Sequence, residues 1–128
     1  MGADAGTCGG RRIAVVRGIV DAVLRELGVE RAATPADIYA LADFITIHLP
    51  KNSETENFLD AEAFAAMKDG VRVLNVARGP LVVDADLAAA IDSGKVAGAA
   101  LDVFRSEPIT EHPLFGHPKV IVTPHLGA

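Results

Sequence analysis

Short and nearly continuous apolar runs recur along the chain, and they predict buried strands of a parallel sheet. Such strands are covered on both faces, so they show unbroken hydrophobic stretches instead of strict alternation. The four clearest runs are 13–16 (IAVV), 44–49 (FITIHL), 71–76 (VRVLNV) and 120–123 (VIVT). A fifth run, 97–104 (AGAALDVF), fits the same pattern although it contains Gly98.

Helical segments with recognisable ends lie between these runs. Residues 21–27 (DAVLREL) stop at Gly28, which is typical of a helix C-terminus because glycine adopts a left-handed backbone without strain. Before the next segment, Thr34 is the predicted N-cap and Pro35 suits the first helical position. Asp37 follows at the spacing of a capping box, so we expect it to bond back to Thr34.

Two further helices are predicted to begin at the N-caps Asp60 and Asp84 and to stop at Gly70 and Gly94. Strand and helix therefore alternate, which predicts an α/β domain with a mainly parallel sheet and right-handed crossovers. Residues 105–119 interrupt this alternation, because their prolines disfavour a helix. We predict a long loop there, and long loops in compact domains tend to carry function.

Composition and charge narrow the possible functions. The net charge of −5 argues against a nucleic-acid-binding surface, which would be basic. No apolar run approaches the roughly 18 residues of a membrane span. The single cysteine, Cys8, excludes an internal disulfide and favours a reducing, cytoplasmic setting. We expect a flexible, glycine-rich segment at 1–12, followed by one domain at 13–128.

Three chemically useful side chains follow three different predicted strands. They are Arg78, Glu107 and His125. Because the carboxyl ends of parallel strands share one edge of a sheet, these side chains can converge there. An arginine binds a carboxylate with two parallel hydrogen bonds, a histidine accepts a proton near neutral pH, and a glutamate orients the histidine ring.

Together the three groups can bind a 2-hydroxy acid and remove its hydroxyl proton. The spacing alone favours the alternative, in which they are separate solvated residues. No metal-ligand spacing and no nucleophilic serine or cysteine is indicated. His112 and His117 are expected to be solvated, while His48 either bonds a nearby loop carbonyl, which we favour, or lines a ligand cleft.

The order and wording of several motifs resemble the D-isomer-specific 2-hydroxyacid dehydrogenases. The motifs are HLPK followed by ET, then LNVARGPLVV, LDVFRSEP and VTPHLGA, and the similarity runs from about residue 24 to 128. The resemblance implies a Rossmann-like NAD-binding domain of an oxidoreductase. It also implies that Arg78, Glu107 and His125 are the catalytic residues. The implied ligands are NAD and a small 2-hydroxy acid, with homo-oligomerisation through the cofactor-binding domain.

The resemblance further implies a cofactor cleft built from residues after the strand ends. For Asp102 the alternative is an aspartate at the end of the sheet that bonds nearby backbone. The implied cleft residues are Leu49, Pro50, Val76, Ala77, Arg78, Asp102, His125, Leu126, Gly127 and Ala128. The choice between NAD and NADP stays open, since Arg17 could face a 2′-phosphate.

The sequence departs from the family in its first part. The family has a GxGxxG turn after its first strand, where glycines let the backbone approach the cofactor's pyrophosphate. This sequence contains no such pattern. Counted back without gaps from LGVE at 27–30, the IAVV run matches the family's second strand, and Val16 takes the place of the ribose-binding aspartate. We therefore expect a truncated domain that lacks the glycine-rich loop and the substrate domain.

Loss of the first strand would leave unpaired backbone beside the run at 44–49. We expect the run at 13–16 to take that central place in the sheet. Residues 29–34 should then form at most a short edge strand or an extended link, and the sheet should have about five strands.

An alternative function is that of a catalytically inactive fragment, which acts only through self-association or pairing with a full-length subunit. An incomplete sequence is a third possibility.

Overall fold

The computed structural model describes the backbone of residues 12–14 and the chain from 21 to 127. It contains two compact units, one up to Ile38 and one from Tyr39 onwards. The expected flexible segment at 1–12 lies outside the described residues, apart from the backbone of Arg12. In the described part of the chain, no helix has the length and apolar character needed to cross a membrane.

The first unit contains a small βαβ segment. Strand β1 (Arg12–Ala14) and strand β2 (Val29–Arg31) are parallel and flank helix α1 (Asp21–Glu26). An exposed ion pair of 2.8 Å joins Asp21 at the start of α1 to Arg31 at the end of β2. Strand β2 is the short strand expected within residues 29–34, and it pairs with β1. The expected place of the IAVV run beside the FITIHL run stays a prediction.

The predicted helix ends in this region are confirmed. Gly28 follows α1 with a φ of 64°, in the left-handed region that glycine tolerates. Helix α2 spans Pro35–Tyr39. Both the backbone N–H and the hydroxyl of Thr34 donate to Asp37 Oδ2, at 3.0 and 2.9 Å. Local sequence thus fixes where α2 begins, as the capping pattern predicted.

The second unit is a four-stranded parallel sheet in the order β3-β4-β5-β6. The predicted α/β class and Rossmann-like parallel sheet are confirmed. The described sheet of this unit has four strands, and the first unit contributes the two paired strands β1 and β2. All four strands run the same way, so their carboxyl ends meet at one edge. The strands are β3 (Phe44–Ile47), β4 (Val71–Asn75), β5 (Val96–Leu101) and β6 (Val120–Val122).

Two helices and a short 3-10 helix connect the strands of this sheet. Helix α3 (Ala61–Ala66) has the predicted N-cap, because Asp60 Oδ1 accepts from Ala63 N at 2.9 Å. The 3-10 helix spans Gly79–Leu81. Helix α4 (Asp84–Asp92) begins one residue earlier than predicted, with Val83 as its N-cap.

Two predicted boundaries of these helices therefore need correction. Asp84 is not a cap, since it lies inside the first turn of α4 and no side chain caps that helix. Helix α3 ends at Ala66, before Gly70. The end of α4 agrees with the prediction, because Gly94 follows it with a φ of 82°. Residues 102–119 contain neither helix nor strand, which confirms the predicted loop.

The two faces of the sheet differ in exposure. The register places Ile45, Val73 and Ala99 side by side on one face, and all three are buried. On the other face, Phe44 on β3 is 64% exposed and Ile121 on β6 is 70% exposed. The core thus lies on one side of the sheet.

Candidate active site

The centre of the site is a hydrogen-bonded pair of a histidine and a glutamate. His125 Nδ1 lies 2.6 Å from Glu107 Oε2, and each side chain is 32% exposed. The other carboxylate oxygen of Glu107 accepts from the Phe104 N–H at 2.9 Å. The hydrogen bond from His125, followed by that from Phe104, holds the pKa of the Glu107 carboxyl below its ordinary value. Glu107 is thus an ionised acceptor, which assigns a proton to Nδ1 and leaves Nε2 to act on a ligand.

A second carboxylate shapes the segment that carries His125. Asp102 follows β5 and is 5% exposed. Its Oδ1 accepts from the Thr123 hydroxyl at 2.5 Å and from Leu126 N at 2.7 Å, while its Oδ2 accepts from Gly127 N at 2.8 Å. These bonds, that from Thr123 first, hold the pKa of the Asp102 carboxyl below its ordinary value. Asp102 therefore fixes the chain on both sides of His125, whose φ is 58°.

Arg78 lies in a turn that a buried asparagine organises. Asn75 ends β4 and is 1% exposed. Its amide group donates to Arg78 O at 3.0 Å and accepts from Ala77 N at 3.2 Å. The Arg78 side chain is exposed and donates to Ala77 O at 2.6 Å. Within residues 21–127, no hydrogen bond or ion pair joins Arg78 to Glu107 or His125, so the structure brings two of the three predicted residues together.

The Arg78 turn is nonetheless packed against the start of the Glu107 loop. A Cβ atom on Gly79 would lie 1.9 Å from the Phe104 carbonyl carbon and 2.4 Å from Arg105 N. Only a residue without a side chain fits at that distance. The close contact places the backbone after Arg78 directly on the backbone before Glu107, so both loops belong to the same edge of the sheet.

An open cavity of about 560 Å³ lies beside the His125–Glu107 pair. Glu107 and His125 line it on one side, and its remaining walls are mostly apolar. Those walls include Phe104, Pro108, Ile109, Phe115, Val122 and Pro124. A cleft with apolar walls and a few polar groups is the usual form of a small-molecule site.

The other predicted cleft residues lie on exposed or half-buried turns. Val76 is 40% exposed and Leu126 is 72% exposed. Leu49 is half-buried, and the Pro50 carbonyl accepts from the Thr55 hydroxyl at 2.6 Å. Ala128 lies outside the described residues.

The remaining histidines differ from their predicted settings. The prediction that His112 is solvated is wrong, because its side chain is 3% exposed. The His117 side chain is 23% exposed and its Nε2 lies 3.6 Å from Asp92, so it too is only partly solvated. His48 is exposed and bonds the Thr46 hydroxyl at 2.9 Å instead of a loop carbonyl.

Comparison with known proteins agrees with this geometry. A family described as "D-isomer specific 2-hydroxyacid dehydrogenase, NAD binding domain" matches residues 8–127. This chain belongs to that family. The match extends over both units and includes the Arg78 turn, the Glu107 loop and the His125 segment.

Curated relatives with high identity include two bacterial enzymes named D-3-phosphoglycerate dehydrogenase. The protein from Mycobacterium tuberculosis (strain ATCC 25618 / H37Rv) is 52% identical over 103 residues, which are 80% of this chain and 19% of the relative. The protein from Bacillus subtilis (strain 168) is 46% identical over 104 residues, which are 81% of this chain and 20% of the relative. The chain thus spans about a fifth of the length of these relatives.

Solved structures of family members share the fold. The holo form of Rhodotorula graminis D-mandelate dehydrogenase is 33% identical, with a TM-score of 0.86 over 91% of this chain and 34% of that protein. A D-isomer-specific 2-hydroxyacid dehydrogenase from Xanthobacter autotrophicus Py2, in complex with NADPH and MES, is 34% identical, with a TM-score of 0.78 over 92% of this chain and 48% of that protein. Family membership supports a nicotinamide dinucleotide as cofactor without deciding between NAD and NADP.

Sequence reasoning missed several residues of this dehydrogenase domain that shape the site. The sequence pattern places Asn75 and Thr123 in strands and Gly79 in a motif, without indicating their contacts. A signal existed for Asn75, because an amide at the end of an otherwise apolar strand needs buried partners. No local signal exists for Thr123, since its partner Asp102 lies on another segment of the chain.

Proposed function

We propose that this chain supplies the nicotinamide side of the active site in NAD-linked oxidation of a D-2-hydroxy acid, with 3-phosphoglycerate as substrate and 3-phosphohydroxypyruvate as product. The hydrogen bond between His125 and Glu107 carries this proposal, because it fixes a neutral imidazole with Nε2 left for a ligand. The names of the two bacterial relatives support the choice of substrate. The reaction belongs to serine biosynthesis, for which the single cysteine favours a cytoplasmic location.

Each of the three side chains has a distinct chemical task in this proposal. His125 Nε2 accepts the proton of the substrate hydroxyl as the carbonyl forms. Glu107 keeps the ring oriented and stabilises the imidazolium that results. Arg78 is exposed and binds the substrate carboxylate through its planar guanidinium. The bound cofactor would accept the hydrogen of the hydroxyl-bearing carbon together with its electron pair.

The residues present fit the nicotinamide end of such a cofactor. Oδ1 of Asp102 accepts two hydrogen bonds, whereas Oδ2 accepts one and keeps a lone pair for a carboxamide N–H. The Val76–Arg78 turn would offer further backbone groups. Leu49, Pro50 and the segment from His125 to Ala128 would line the same cleft. The sequence has no GxGxxG pattern for the pyrophosphate, so we expect weak binding by this chain alone.

Fluorescence titration with NADH tests the proposal. Saturable binding at micromolar to low millimolar NADH is expected, with Asp102→Asn weakening it and Asp69→Asn, a change in an exposed ion pair, leaving it unchanged. A parallel titration with NADPH decides between the two cofactors. Complete absence of binding at millimolar concentrations of both nucleotides would contradict the proposal.

An alternative function is that of an inactive fragment that pairs with itself or with a full-length subunit. The exposed apolar side chains Phe44 and Ile121 on the open face of the sheet favour it. Light scattering distinguishes the two functions. A stable oligomer that binds neither nucleotide would support the alternative, and a nucleotide-binding monomer would exclude it.

A further inference from the structure

The loop between β5 and β6 contains a buried histidine that the proposed reaction does not use. The His112 side chain is 3% exposed and packs between two aromatic rings. Its ring centroid lies 5.2 Å from that of Phe104 and 5.3 Å from that of Phe115. A histidine so placed must have a partner for each ring nitrogen or lose stability.

The hydrogen bonds of His112 determine which nitrogen carries its proton. Nδ1 accepts from the Leu114 N–H at 3.2 Å, so the proton of the neutral ring is on Nε2. Nε2 lies 3.2 Å from Asp84 Oδ2 in the first turn of α4 and forms no aligned hydrogen bond. The Nε2 proton is therefore buried next to a carboxylate on a helix that is distant in sequence, within electrostatic contact but without an aligned hydrogen bond.

The same carboxylate lies near the other end of the loop. Arg105 Nε is 3.9 Å from Asp84 Oδ2, and the Arg105 guanidinium donates to Val82 O at 2.9 Å. Arg105 and His112 thus attach the loop to the start of α4 at two points. Glu107 lies between these two points along the chain.

A continuous set of contacts leads from His112 to the His125–Glu107 pair. The His112 ring packs edge-on against the Phe104 ring, and the Phe104 N–H donates to Glu107 Oε1. Glu107 Oε2 in turn contacts His125. We propose that His112 is a positioning residue, which fixes the loop 105–119 to helix α4 and thereby holds Glu107 against His125. The catalytic importance of this role rests on the proposed function, but the effect of His112 on the position of Glu107 can be tested without measuring activity.

The test compares two histidines on the same loop. His112→Phe keeps a ring between Phe104 and Phe115 but removes both the acceptor for Leu114 and the donor towards Asp84. His117→Phe is the matched control, because His117 Nδ1 likewise accepts from the amide two residues on, Lys119 N at 3.1 Å, and the ring has no aromatic contact with Phe104.

Amide hydrogen exchange and NMR titration of the Glu107 carboxyl supply the readouts. In His112→Phe we expect exchange at Phe104 N–H to accelerate about fivefold, the factor that corresponds to one net hydrogen bond. We also expect the titration midpoint of Glu107 to rise towards its ordinary value. His117→Phe should change neither readout.

Each outcome either supports or overturns the role proposed for His112. A folded His112→Phe protein with unchanged Phe104 exchange and an unchanged Glu107 midpoint would overturn the proposal and leave His112 a structural residue. If His112→Phe does not fold, Asp84→Asn should produce the same two changes with smaller size, and no change in that variant would overturn the proposal. A chain that shows these changes but binds no NADH would refute the proposed function alone.

Discussion

At the scale of single residues, carboxylates with lowered pKa values organise the site. Asp102 and Glu107 both accept several hydrogen bonds in the folded chain, and those bonds favour the ionised form. Asp102 acts on the backbone of the His125 segment, whereas Glu107 acts on the imidazole itself. The two residues therefore stabilise the position and the orientation of one histidine by different means.

The lowered pKa of Asp102 predicts how stability depends on pH. A carboxyl whose folded pKa is below its unfolded value stabilises the fold above the unfolded pKa, and this contribution is lost as the pH falls through the folded value. The wild-type melting temperature should therefore fall between about pH 5 and about pH 2. Asp102→Asn should have a lower melting temperature at neutral pH and a flatter dependence in this acidic range.

Thermal melting followed by circular dichroism across this range provides the measurement. The control is Asp69→Asn, because Asp69 is 91% exposed and makes only a surface ion pair with Lys95. That variant should follow the wild-type curve. An Asp102→Asn curve parallel to the wild type throughout would show that Asp102 contributes no acid-dependent stability.

At the scale of elements, the site depends on a contact between two loops that follow adjacent strands. The turn after β4 carries Arg78, and the loop after β5 carries Glu107. Gly79 permits their backbones to touch, and Asn75 fixes the turn from inside the sheet. The two loops can lie this close together because Gly79 has no side chain.

Gly79→Ala should destabilise the protein because its Cβ atom overlaps the Phe104 backbone. We expect a loss of about 1–3 kcal/mol in the free energy of unfolding, the usual range for overpacking. Gly98→Ala is the control, since a Cβ atom there would approach one atom, Lys119 O, at 3.1 Å. Urea denaturation measures both variants, and equal losses in the two would contradict the role assigned to Gly79.

At the scale of the whole molecule, the second unit has a covered face and an open face. Ile45 and Val73 on the covered face are buried, whereas Phe44 and Ile121 on the open face are exposed. Apolar side chains in such positions promote association in water. The open face is therefore the part of the described chain on which a second copy would pack if the alternative function holds.

Ile121→Ser should weaken any self-association of the chain. Ile121 is 70% exposed, so the change should alter the free energy of unfolding by less than about 0.5 kcal/mol. Sedimentation velocity should show a larger monomer fraction for this variant than for the wild type. Leu41→Ser is the control, because Leu41 is 50% exposed but lies outside the sheet, and an equal effect of both changes would rule out the open face as the interface.

The sequence by itself determined where helices and strands form, and which edge of the sheet carries the site. Apolar runs, caps at Thr34 and Asp60, and glycines after helices are local signals, because the hydrogen bonds they reflect join residues close together in the chain. The parallel order of the strands then placed Arg78, Glu107 and His125 at the carboxyl ends of the sheet.

The contact between His125 and Glu107 agrees with the expectation from the sequence, whereas other contacts were decided by the tertiary structure alone. The tertiary structure left Arg78 exposed, buried His112 and paired β1 with β2. These outcomes depend on contacts between segments far apart in sequence, and such contacts are set by the path of the whole backbone. No pattern within a few residues records that path, so the sequence could name the residues of the site and the pairing of Glu107 with His125, but not the separate position of Arg78 or the burial of His112.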